Sequence, residues 1–339
     1  MRTCIFLFVA GLCLAQPEKV IFDTDCAFFN DDGAALVMLL QRPRQVDVLG
    51  LTLVPGNLWP VEGSGYMFRV LELMKRPEIP MHWGARMPLV HTRAMAQKEN
   101  QKWGPIGFLC AFAGDPPRDA HPPKMARRHA VDFLIDTIDQ SSGQVTVLAI
   151  GPMTNLAMAL RLRPDLEKKI RRLVFVGGSV HARNPEDGRA AEFNFWFDPE
   201  AAQIVLRSAI EKKIMFGLDI CNRAPIRKTH FDQIVAVKTP ITELFREDMG
   251  NRYPGFFKKP DAQTYIWDCL SAGYLLDPAF VTKREMAYLD VDTNFGKTYG
   301  AVIPLDRTLA PQATAVEVML DLNFPRFFDL YKRLLTHTF

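Results

Sequence analysis

The stretch FDTDCAFFNDDGAALVMLL, residues 22–40, joins a strand-like apolar segment to a helix-like apolar segment. Four aspartates crowd this junction: Asp23, Asp25, Asp31 and Asp32. Like charges at close range repel, and each carboxylate that leaves water costs several kcal/mol unless something compensates its charge. A bound cation is the simplest compensation, so the stretch directs attention to a metal site.

Around this stretch, short β-branched segments alternate with longer helix-like ones. The strand candidates are near-continuous apolar runs, as expected for strands buried on both faces of a parallel sheet: residues 19–25, 46–54, 144–151, 171–178 and 212–220. The helix candidates between them are DGAALVMLLQR, GYMFRVLELMKR, AVDFLIDTIDQ, TNLAMALRL and PEAAQIVLRS. This order predicts a single α/β domain with a mainly parallel, doubly wound sheet flanked by helices, an open Rossmann-like sheet.

Two segments interrupt the alternation. Residues 84–125 are rich in Pro, Gly and aromatic residues with little periodicity, and residues 253–264 are similar. Long irregular segments in compact domains are often lids or binding loops, so both are interpreted in that way.

The composition of the 339 residues is that of an ordinary globular protein, with 48% hydrophobic and 23% charged residues. A formal net charge of +3 is too small to indicate a nucleic-acid partner.

The N-terminus, MRTCIFLFVAGLCLAQ, has one Arg, an apolar run and Ala15 before Gln16, which is typical of a secretory signal peptide. The alternative is a buried first strand, but residues 19–25 already fill that role. We therefore expect a signal peptide over 1–16, cleavage near Ala15 and Gln16, a domain over 17–339 and secretion. No later apolar run reaches the ~18 residues that a membrane span requires.

Cleavage would remove Cys4 and Cys13 and leave Cys26, Cys110, Cys221 and Cys269. Four cysteines in a secreted domain could form disulfides in three connectivities, and the sequence does not choose among them. Their spacing lacks CxxC pairs and does not favour zinc.

Beyond the opening stretch, the sequence resembles the calcium-dependent nucleoside N-ribohydrolases, the inosine/uridine-preferring superfamily. The resemblance covers nearly all of residues 18–335 and rests on motifs that occur in the family's order: FDTDCAFFNDD, TLVPGN, GPMTNLA, AEFNFWFDPEAA, LDICNRAPI and WDCLSAGY. It implies a hydrolase that releases base and ribose from a nucleoside, that binds Ca²⁺ and that assembles as a homodimer or homotetramer.

By this resemblance the calcium ligands are Asp25, Asp32, the backbone carbonyl of Ile150 and Asp268. Calcium takes six to eight oxygen ligands, so water and ribose hydroxyls would complete the set. Asp25 is then the general base that takes a proton from the attacking water. The family leaves three residues between its D-x-D and its D-D pair, whereas this chain has five, CAFFN, so Asn30 could share a role with Asp31 and Asp32.

The resemblance also implies a ribose-binding group of side chains: Asp31, Asn57, Asn184, Glu192 and Asn194. Hydrogen bonds of this kind suit a sugar that approaches an oxocarbenium ion. Thr154 and Asn155 are interpreted as helix-start residues.

Family members that cleave many bases place a His immediately before the last calcium-binding Asp, and here that residue is Trp267. A Trp resembles the purine-preferring branch, the inosine-adenosine-guanosine enzymes, in which an aromatic ring stacks on the base. Trp103 in segment 84–125 is the expected second wall, or else a packing aromatic. His82 and His181 are alternative proton donors, each more typical of an ordinary loop residue.

Two other function classes compete with this interpretation. A phosphatase of the haloacid dehalogenase type also has a first strand that ends in D-x-D, but Ala27 stands where that class has Thr or Val, and AEFN and WD are unexplained. The second competing class is a protein that binds nucleoside or ribose with calcium but has lost turnover.

Overall fold

Strand β1 (Glu18–Thr24) lies inside a nine-stranded sheet in the computed structural model, which describes residues 16–26, 31–115, 125–185, 187–309 and 314–337. The other strands of this sheet are β2 (Val46–Leu53), β3 (Met81–Trp83), β4 (Val145–Ala149), β5 (Arg172–Val176), β6 (Lys213–Phe216), β9 (Val281–Val291), β10 (Val302–Leu305) and β11 (Val316–Leu322). Two further strands, β7 (Pro225–Arg227) and β8 (Gln263–Tyr265), form a separate antiparallel pair.

The strand order across the large sheet is β10-β9-β11-β6-β5-β4-β1-β2-β3. The seven strands from β11 to β3 are parallel, whereas β9 pairs antiparallel with β11 and β10 pairs antiparallel with β9. Chain order reverses at β1, which has β2 on one side and β4 on the other. The predicted mainly parallel, doubly wound sheet is therefore confirmed.

Alternate residues of β1 enter different hydrophobic cores. Val20 and Phe22 belong to one core, Ile21 belongs to the other, and all three side chains are fully buried. This two-residue alternation places one apolar face on each side of the strand, so the strand requires helices on both sides.

The helices supply those layers. They are α1 (Asp32–Leu40), α2 (Pro60–Leu73), α3 (Arg93–Trp103), α4 (Ala130–Gln140), α5 (Thr154–Leu162), α6 (Phe193–Phe197), α7 (Pro199–Arg207), α8 (Leu218–Cys221), α9 (Lys228–Val235), α10 (Pro240–Arg252), α11 (Trp267–Leu276) and α12 (Phe324–Thr336). Helices α4, α5 and α7 cover the face that carries Ile21, and α1, α2 and α9 to α12 cover the face that carries Val20 and Phe22. A third core forms between residues 96–112 and α6, away from the sheet.

All five predicted strands and all five predicted helices are present, with ends that differ by a few residues. The interpretation of segment 84–125 as irregular is partly wrong, because its middle forms α3. That helix buries only Ala96 and Glu99, so no apolar stripe marks it in the sequence, although the Thr92 hydroxyl caps it by accepting a hydrogen bond from the Met95 N–H at 3.2 Å.

Within the part of the chain that the structure describes, no helix has the length and apolar character needed to cross a membrane. The predicted signal peptide falls almost wholly on residues 1–15, which lie outside the described residues, as do Ala27 and Asn30.

Candidate active site

The acidic stretch lies where the sheet changes direction. Asp25 follows the last residue of β1, and Ile150 follows the last residue of the adjacent β4. Ligands of open α/β sheets bind beyond the carboxyl ends of the strands at such a switch point. The topology therefore places these residues where a substrate site is expected.

Four carboxylates are buried together at this point: Asp25, Asp31, Asp32 and Asp268. Burial raises the pKa of Asp25, Asp31 and Asp268 well above the usual range, and the charges of neighbouring aspartates raise these pKa values further. Both effects penalise the ionised form, so a cation that entered the cluster would be stabilised by it.

Asp25 is fixed by backbone contacts. Its Oδ2 accepts a hydrogen bond from the Asn57 N–H at 2.7 Å. A Cβ atom on Gly56 would lie 2.2 Å from the same Oδ2, and one on Gly151 would lie 2.8 Å from the Asp25 backbone nitrogen. Only glycine fits at these two positions while Asp25 keeps its place.

Contacts at the starts of α1 and α11 hold Asp31, Asp32 and Asp268 together. The Thr24 hydroxyl donates to Asp32 Oδ1 at 2.6 Å. Asp31 Oδ1 accepts from the Asp268 N–H at 2.8 Å, and the thiol of Cys269 donates to the Asp31 carbonyl at 3.4 Å. A carboxylate at the N-terminus of α11 interacts favourably with the helix dipole, so Asp31 ties α11 to the beginning of α1 and brings Asp268 to Asp32.

The donors in this cluster fit a hard cation. Carboxylates of Asp25, Asp32 and Asp268 and the carbonyl oxygen of Ile150 are oxygen ligands of the kind that Ca²⁺ or Mg²⁺ prefers. Asp25 Oδ1 is buried and has no hydrogen-bond donor among the described residues, which leaves it available as a ligand. No group of three His, Cys, Asp or Glu side chains in the described ranges is already in a geometry that could hold a metal ion. The chemistry of the donors therefore matches a hard cation.

A buried polar layer supports the cluster from below. The Thr52 hydroxyl and Asn155 Nδ2 donate to Asp23 Oδ2 at 2.5 and 2.8 Å, and burial raises the pKa of Asp23 to about 7. Thr154 donates through its hydroxyl to Asp198 Oδ2 at 2.6 Å. The interpretation of Thr154 and Asn155 as helix-start residues is corrected in part: both lie in the first turn of α5, but their side chains bind buried aspartates rather than cap the helix.

A cavity of about 520 Å³ opens above the carboxylates. Of the predicted site residues, it is lined by Asp31, Asn57, Ile150, Asn184, Glu192, Asn194, Trp267 and Asp268, while Asp25 and Asp32 lie buried beside it. No Lys, Arg or His of the described residues lines the cavity, so the charged residues that line it are all acidic.

Glu192 and Asn194 are held by the backbone around α6. The Glu192 carboxylate accepts from the N–H groups of Asn194, Gly178 and Phe195 at 2.9, 2.9 and 3.2 Å. Asn194 Nδ2 donates to the carbonyls of Ile150 and Val176, both at 2.9 Å. Asn194 Oδ1 is buried and has no partner in the described parts of the chain, so it can accept a hydrogen bond from a sugar hydroxyl.

The opposite end of the cavity is aromatic. Trp267 stacks on Tyr265, with ring centroids 5.6 Å apart and ring planes 7° apart. Tyr265, Tyr253, Phe108 and Phe193 also line the cavity. None of these four was predicted as a site residue, although Phe108 and Tyr253 lie in the two segments interpreted as lids or binding loops and Phe193 lies inside AEFN.

Trp103 is not part of this cavity. It lines a separate surface depression with Arg189 and Lys297, and its ring lies 5.4 Å from that of Phe295. The prediction that Trp103 forms the second aromatic wall is therefore corrected: α3 directs it toward residues 295–297, and Tyr265 stacks on Trp267 instead.

The two histidines considered as proton donors also lie elsewhere. His82 stacks on Phe133 with ring centroids 4.0 Å apart, and burial lowers its pKa. His181 is exposed and pairs with Glu285 at 2.8 Å. Neither lines the cavity, so the structure assigns neither a role at the leaving base.

The four cysteines within the described residues are thiols, so the structure contains none of the three possible disulfide pairings among them. Cys110 and Cys221 line the cavity, and the Cys110 thiol donates to Asn57 Oδ1 at 3.4 Å. The sequence did not place either residue at the site.

The doubly wound α/β domain thus carries, at its switch point, an acidic pocket whose oxygen donors suit a divalent cation. Comparison with known proteins gives the particular family: the chain belongs to the inosine-uridine preferring nucleoside hydrolases, whose family model matches residues 20–329. It is a nucleoside hydrolase, and the phosphatase alternative is excluded.

Two curated relatives are similar over most of their length. The chain is 30% identical over 319 residues to a pyrimidine-specific ribonucleoside hydrolase, RihB, of Escherichia coli, covering 91% of this chain and 95% of the relative. It is 31% identical over 313 residues to the pyrimidine-specific ribonucleoside hydrolase RihA of Salmonella agona, covering 90% and 95%.

Solved structures share the fold. An inosine-guanosine nucleoside hydrolase superposes with a TM-score of 0.78 at 23% identity, covering 95% of this chain and 99% of that one. A purine-preferring ribonucleoside hydrolase from Gardnerella vaginalis gives 0.75 at 23% identity, covering 94% and 98%. At this identity the likeness establishes the architecture and not the base that is cleaved.

Proposed function

We propose that this chain is a calcium-dependent nucleoside N-ribohydrolase that prefers purine ribonucleosides. The observation that carries the proposal is that two kinds of side chain line one cavity. Its carboxylates and amides would hold a cation and a ribose, and its stacked aromatic rings would hold a base.

Asp25 is the proposed general base. Water adds to the anomeric carbon of the ribose as the bond from that carbon to the base nitrogen breaks, and Asp25 takes a proton from the water. The base leaves with the bonding electron pair and takes up a proton from solvent. Burial and neighbouring carboxylates raise the pKa of Asp25, and the charge of a bound cation would oppose this shift and keep the carboxylate ionised, as a general base must be. A bound Ca²⁺ would offset the charge of the cluster and polarise the water, and Asp25, Asp32, Asp268 and the Ile150 carbonyl would hold it.

The ribose hydroxyls bind to Asp31, Asn57, Glu192 and Asn194, with Asn184 at the edge of the cavity. The Asn194 Oδ1 that has no partner among the described residues is the clearest acceptor. Hydrogen bonds that strengthen as positive charge develops on the sugar would lower the barrier.

The base stacks on Trp267, which Tyr265 supports from behind. Stacking holds the departing base in place, and purines present a larger π surface than pyrimidines, so they gain more from the contact. The absence of a cavity-lining histidine in the described residues agrees with activation of the leaving group by stacking.

Preference for pyrimidine nucleosides is the second candidate. It is favoured by the two curated relatives, both named as pyrimidine-specific, at 30% and 31% identity. The same carboxylate end would serve either base, so only the aromatic end distinguishes the two candidates.

The experiment is hydrolysis of a nucleoside panel with and without chelator. Purified protein is incubated with inosine, guanosine, uridine and cytidine, and free base and ribose are measured. The proposal expects higher kcat/KM for the purine nucleosides and loss of activity in EDTA that Ca²⁺ restores. Higher kcat/KM for uridine and cytidine would establish the second candidate, and calcium-dependent binding without release of base would identify a binding protein.

We further propose that residues 1–16 are a signal peptide, so that the mature domain starts near residue 17 and is secreted, and that the domain forms a homodimer or homotetramer. N-terminal sequencing of the protein recovered outside the producing cell tests the first point. Light scattering on the purified domain tests the second, since a monomer would contradict it.

A further inference from the structure

Glu99 is a buried carboxylate in a helix that otherwise faces solvent. Its side chain is 1% exposed, and the only other buried residue of α3 is Ala96. Removing a carboxylate from water costs several kcal/mol unless charged or hydrogen-bonding partners surround it. An Ala or Met at this position of α3 would avoid that cost, so the contacts of Glu99 require an explanation.

Three side chains surround the carboxylate. Trp196 donates from its indole Nε1 to Glu99 Oε2 at 2.9 Å. His91 Nε2 lies 3.2 Å from Oε1 without the geometry of a hydrogen bond, and an Arg189 guanidinium nitrogen lies 3.7 Å from Oε2. His91 also bridges back to the same partner, because its Nδ1 lies 2.9 Å from the Trp196 carbonyl oxygen.

None of these three partners lines the cavity, but Trp196 and Arg189 connect to segments that do. Trp196 is in α6, two residues after Asn194. Arg189 also donates to the Gly104 carbonyl at 2.9 Å. Gly104 is three residues before the segment 107–110, which lines the cavity. The same arginine pairs with Asp187 Oδ2 at 3.2 Å, in the loop that carries Asn184. Helix α6 is therefore linked to Glu99 through Trp196, and the Asn184 loop and the segment that begins at Gly104 are linked to it through Arg189.

We infer that Glu99 is a positioning residue for the nucleoside reaction: through Trp196, Arg189 and His91 it sets the spacing between the wall at residues 107–110 and the ribose-binding side chains. This inference rests on the proposed function for its kinetic consequence. Glu99 touches no substrate, so its loss changes the fit of the cavity and leaves the general base Asp25 in place.

The test compares Glu99→Gln with Asp115→Asn. Asp115 is a matched control, because it is also a carboxylate attached to the same segment by an arginine, Arg93, at 2.8 Å, but its side chain is 83% exposed. Glu99→Gln keeps the shape and one acceptor but loses the charge that faces Arg189 and His91. We expect KM for the nucleoside to rise about tenfold, the equivalent of one strong hydrogen bond, with kcat nearly unchanged. Asp115→Asn should match the wild type in both constants.

Trp196→Phe provides a second variant that keeps Glu99 and removes only the indole N–H. It should reproduce the rise in KM, and it serves if Glu99→Gln does not fold. A lower melting temperature with wild-type KM in both variants would show that Glu99 only stabilises the fold and would overturn the inference. An equal rise in KM for Asp115→Asn would overturn it as well.

Hydrogen exchange gives a readout that needs no turnover. The amides of residues 104–113 should exchange faster in Glu99→Gln than in the wild type and at the wild-type rate in Asp115→Asn. If the wild type cleaves no nucleoside, the proposed function fails while this exchange contrast still decides whether Glu99 holds the wall. Unchanged exchange in Glu99→Gln overturns the positioning role regardless of activity.

Discussion

The two ends of the cavity are built in different ways. The carboxylate end, formed by Asp25, Asp31, Asp32, Asp268 and the Ile150 carbonyl, sits at the ends of β1 and β4 and at the starts of two buried helices. The aromatic end, formed by Phe108, Tyr253, Tyr265 and Trp267, lies mostly in segments that connect the main elements. The first depends on the central sheet, and the second depends on packing among loops and short helices.

This difference matters because the two ends tolerate change differently. Asp25 is enclosed by backbone and by two glycines that admit no side chain, so its position is closely restricted. At the aromatic end, Phe108 belongs to the third hydrophobic core, whereas Trp267 packs against the core that contains Val20 and Phe22. Substitutions at the carboxylate end should therefore remove the chemistry, and substitutions at the aromatic end should change the choice of base.

The largest effect is expected for Asp25→Asn. The amide keeps the size of the side chain but cannot take the proton from water, so kcat should fall by at least ~10²-fold, as is typical when a general base is lost. Steady-state kinetics on inosine measures this. Asp47→Asn on the exposed edge of β2 is the control and should leave kcat unchanged. A fall of less than about fivefold for Asp25→Asn would assign the proton transfer to another group.

A smaller but still large effect is expected for Gly56→Ala. The added Cβ would stand 2.2 Å from Asp25 Oδ2, so the carboxylate must move. Displacement of a reacting group by about 1 Å can cost up to ~10²-fold, and we expect kcat to fall at least ~tenfold.

Gly65→Ala is the matched control for that substitution. Gly65 lies within α2, and a Cβ there would meet nothing within 4 Å. Alanine in a helix interior should raise the free energy of unfolding by roughly 0.4–1 kcal/mol without changing kcat. If both alanine variants retain full activity, the backbone around Asp25 is more adaptable than the structure indicates.

The same difference explains how much of each end could be predicted from the sequence. The strand-end aspartates could be placed because a D-x-D after a buried strand leaves little choice of position. Trp267 could be placed because it adjoins Asp268. Trp103 was misplaced because nothing in a polar helix states which way an aromatic side chain at its end will point.

Glu99 and the polar contacts of Thr154 and Asn155 were not predictable for a related reason. Each depends on residues far away in sequence that the fold brings together: Asp198 lies 44 residues from Thr154, and Trp196 lies 97 residues from Glu99. Local sequence patterns do not indicate such contacts. They do indicate the buried faces of β1 and α1, and those parts of the fold were predicted.

The aromatic end gives the third prediction. Trp267→Ala removes the ring that stacks on the base, and stacking contributes roughly 1–3 kcal/mol per base. We expect kcat/KM to fall more for inosine than for uridine, and least for nitrophenyl riboside, whose leaving group needs little help. Equal losses on the three substrates would mean that Trp267 only shapes the cavity.

The smallest effect concerns stability against pH, and it belongs to the carboxylate end and the layer beneath it. Burial raises the pKa of Asp23 to about 7, and burial with neighbouring charges raises the pKa of Asp25, Asp31 and Asp268. An unfolded Asp has a pKa of about 3.9, so between that value and the raised values the folded chain binds more protons than the unfolded chain. Unfolding free energy then decreases as pH rises through this window.

In EDTA we expect the melting temperature to fall from about pH 5 to about pH 8, and Ca²⁺ to oppose the fall because it binds the ionised carboxylates. Asp23→Asn should reduce the slope in EDTA, whereas Trp267→Ala should run parallel to the wild type because an indole does not titrate. A melting temperature in EDTA that rises with pH over this range would show that the four aspartates are ionised in the folded chain without a cation.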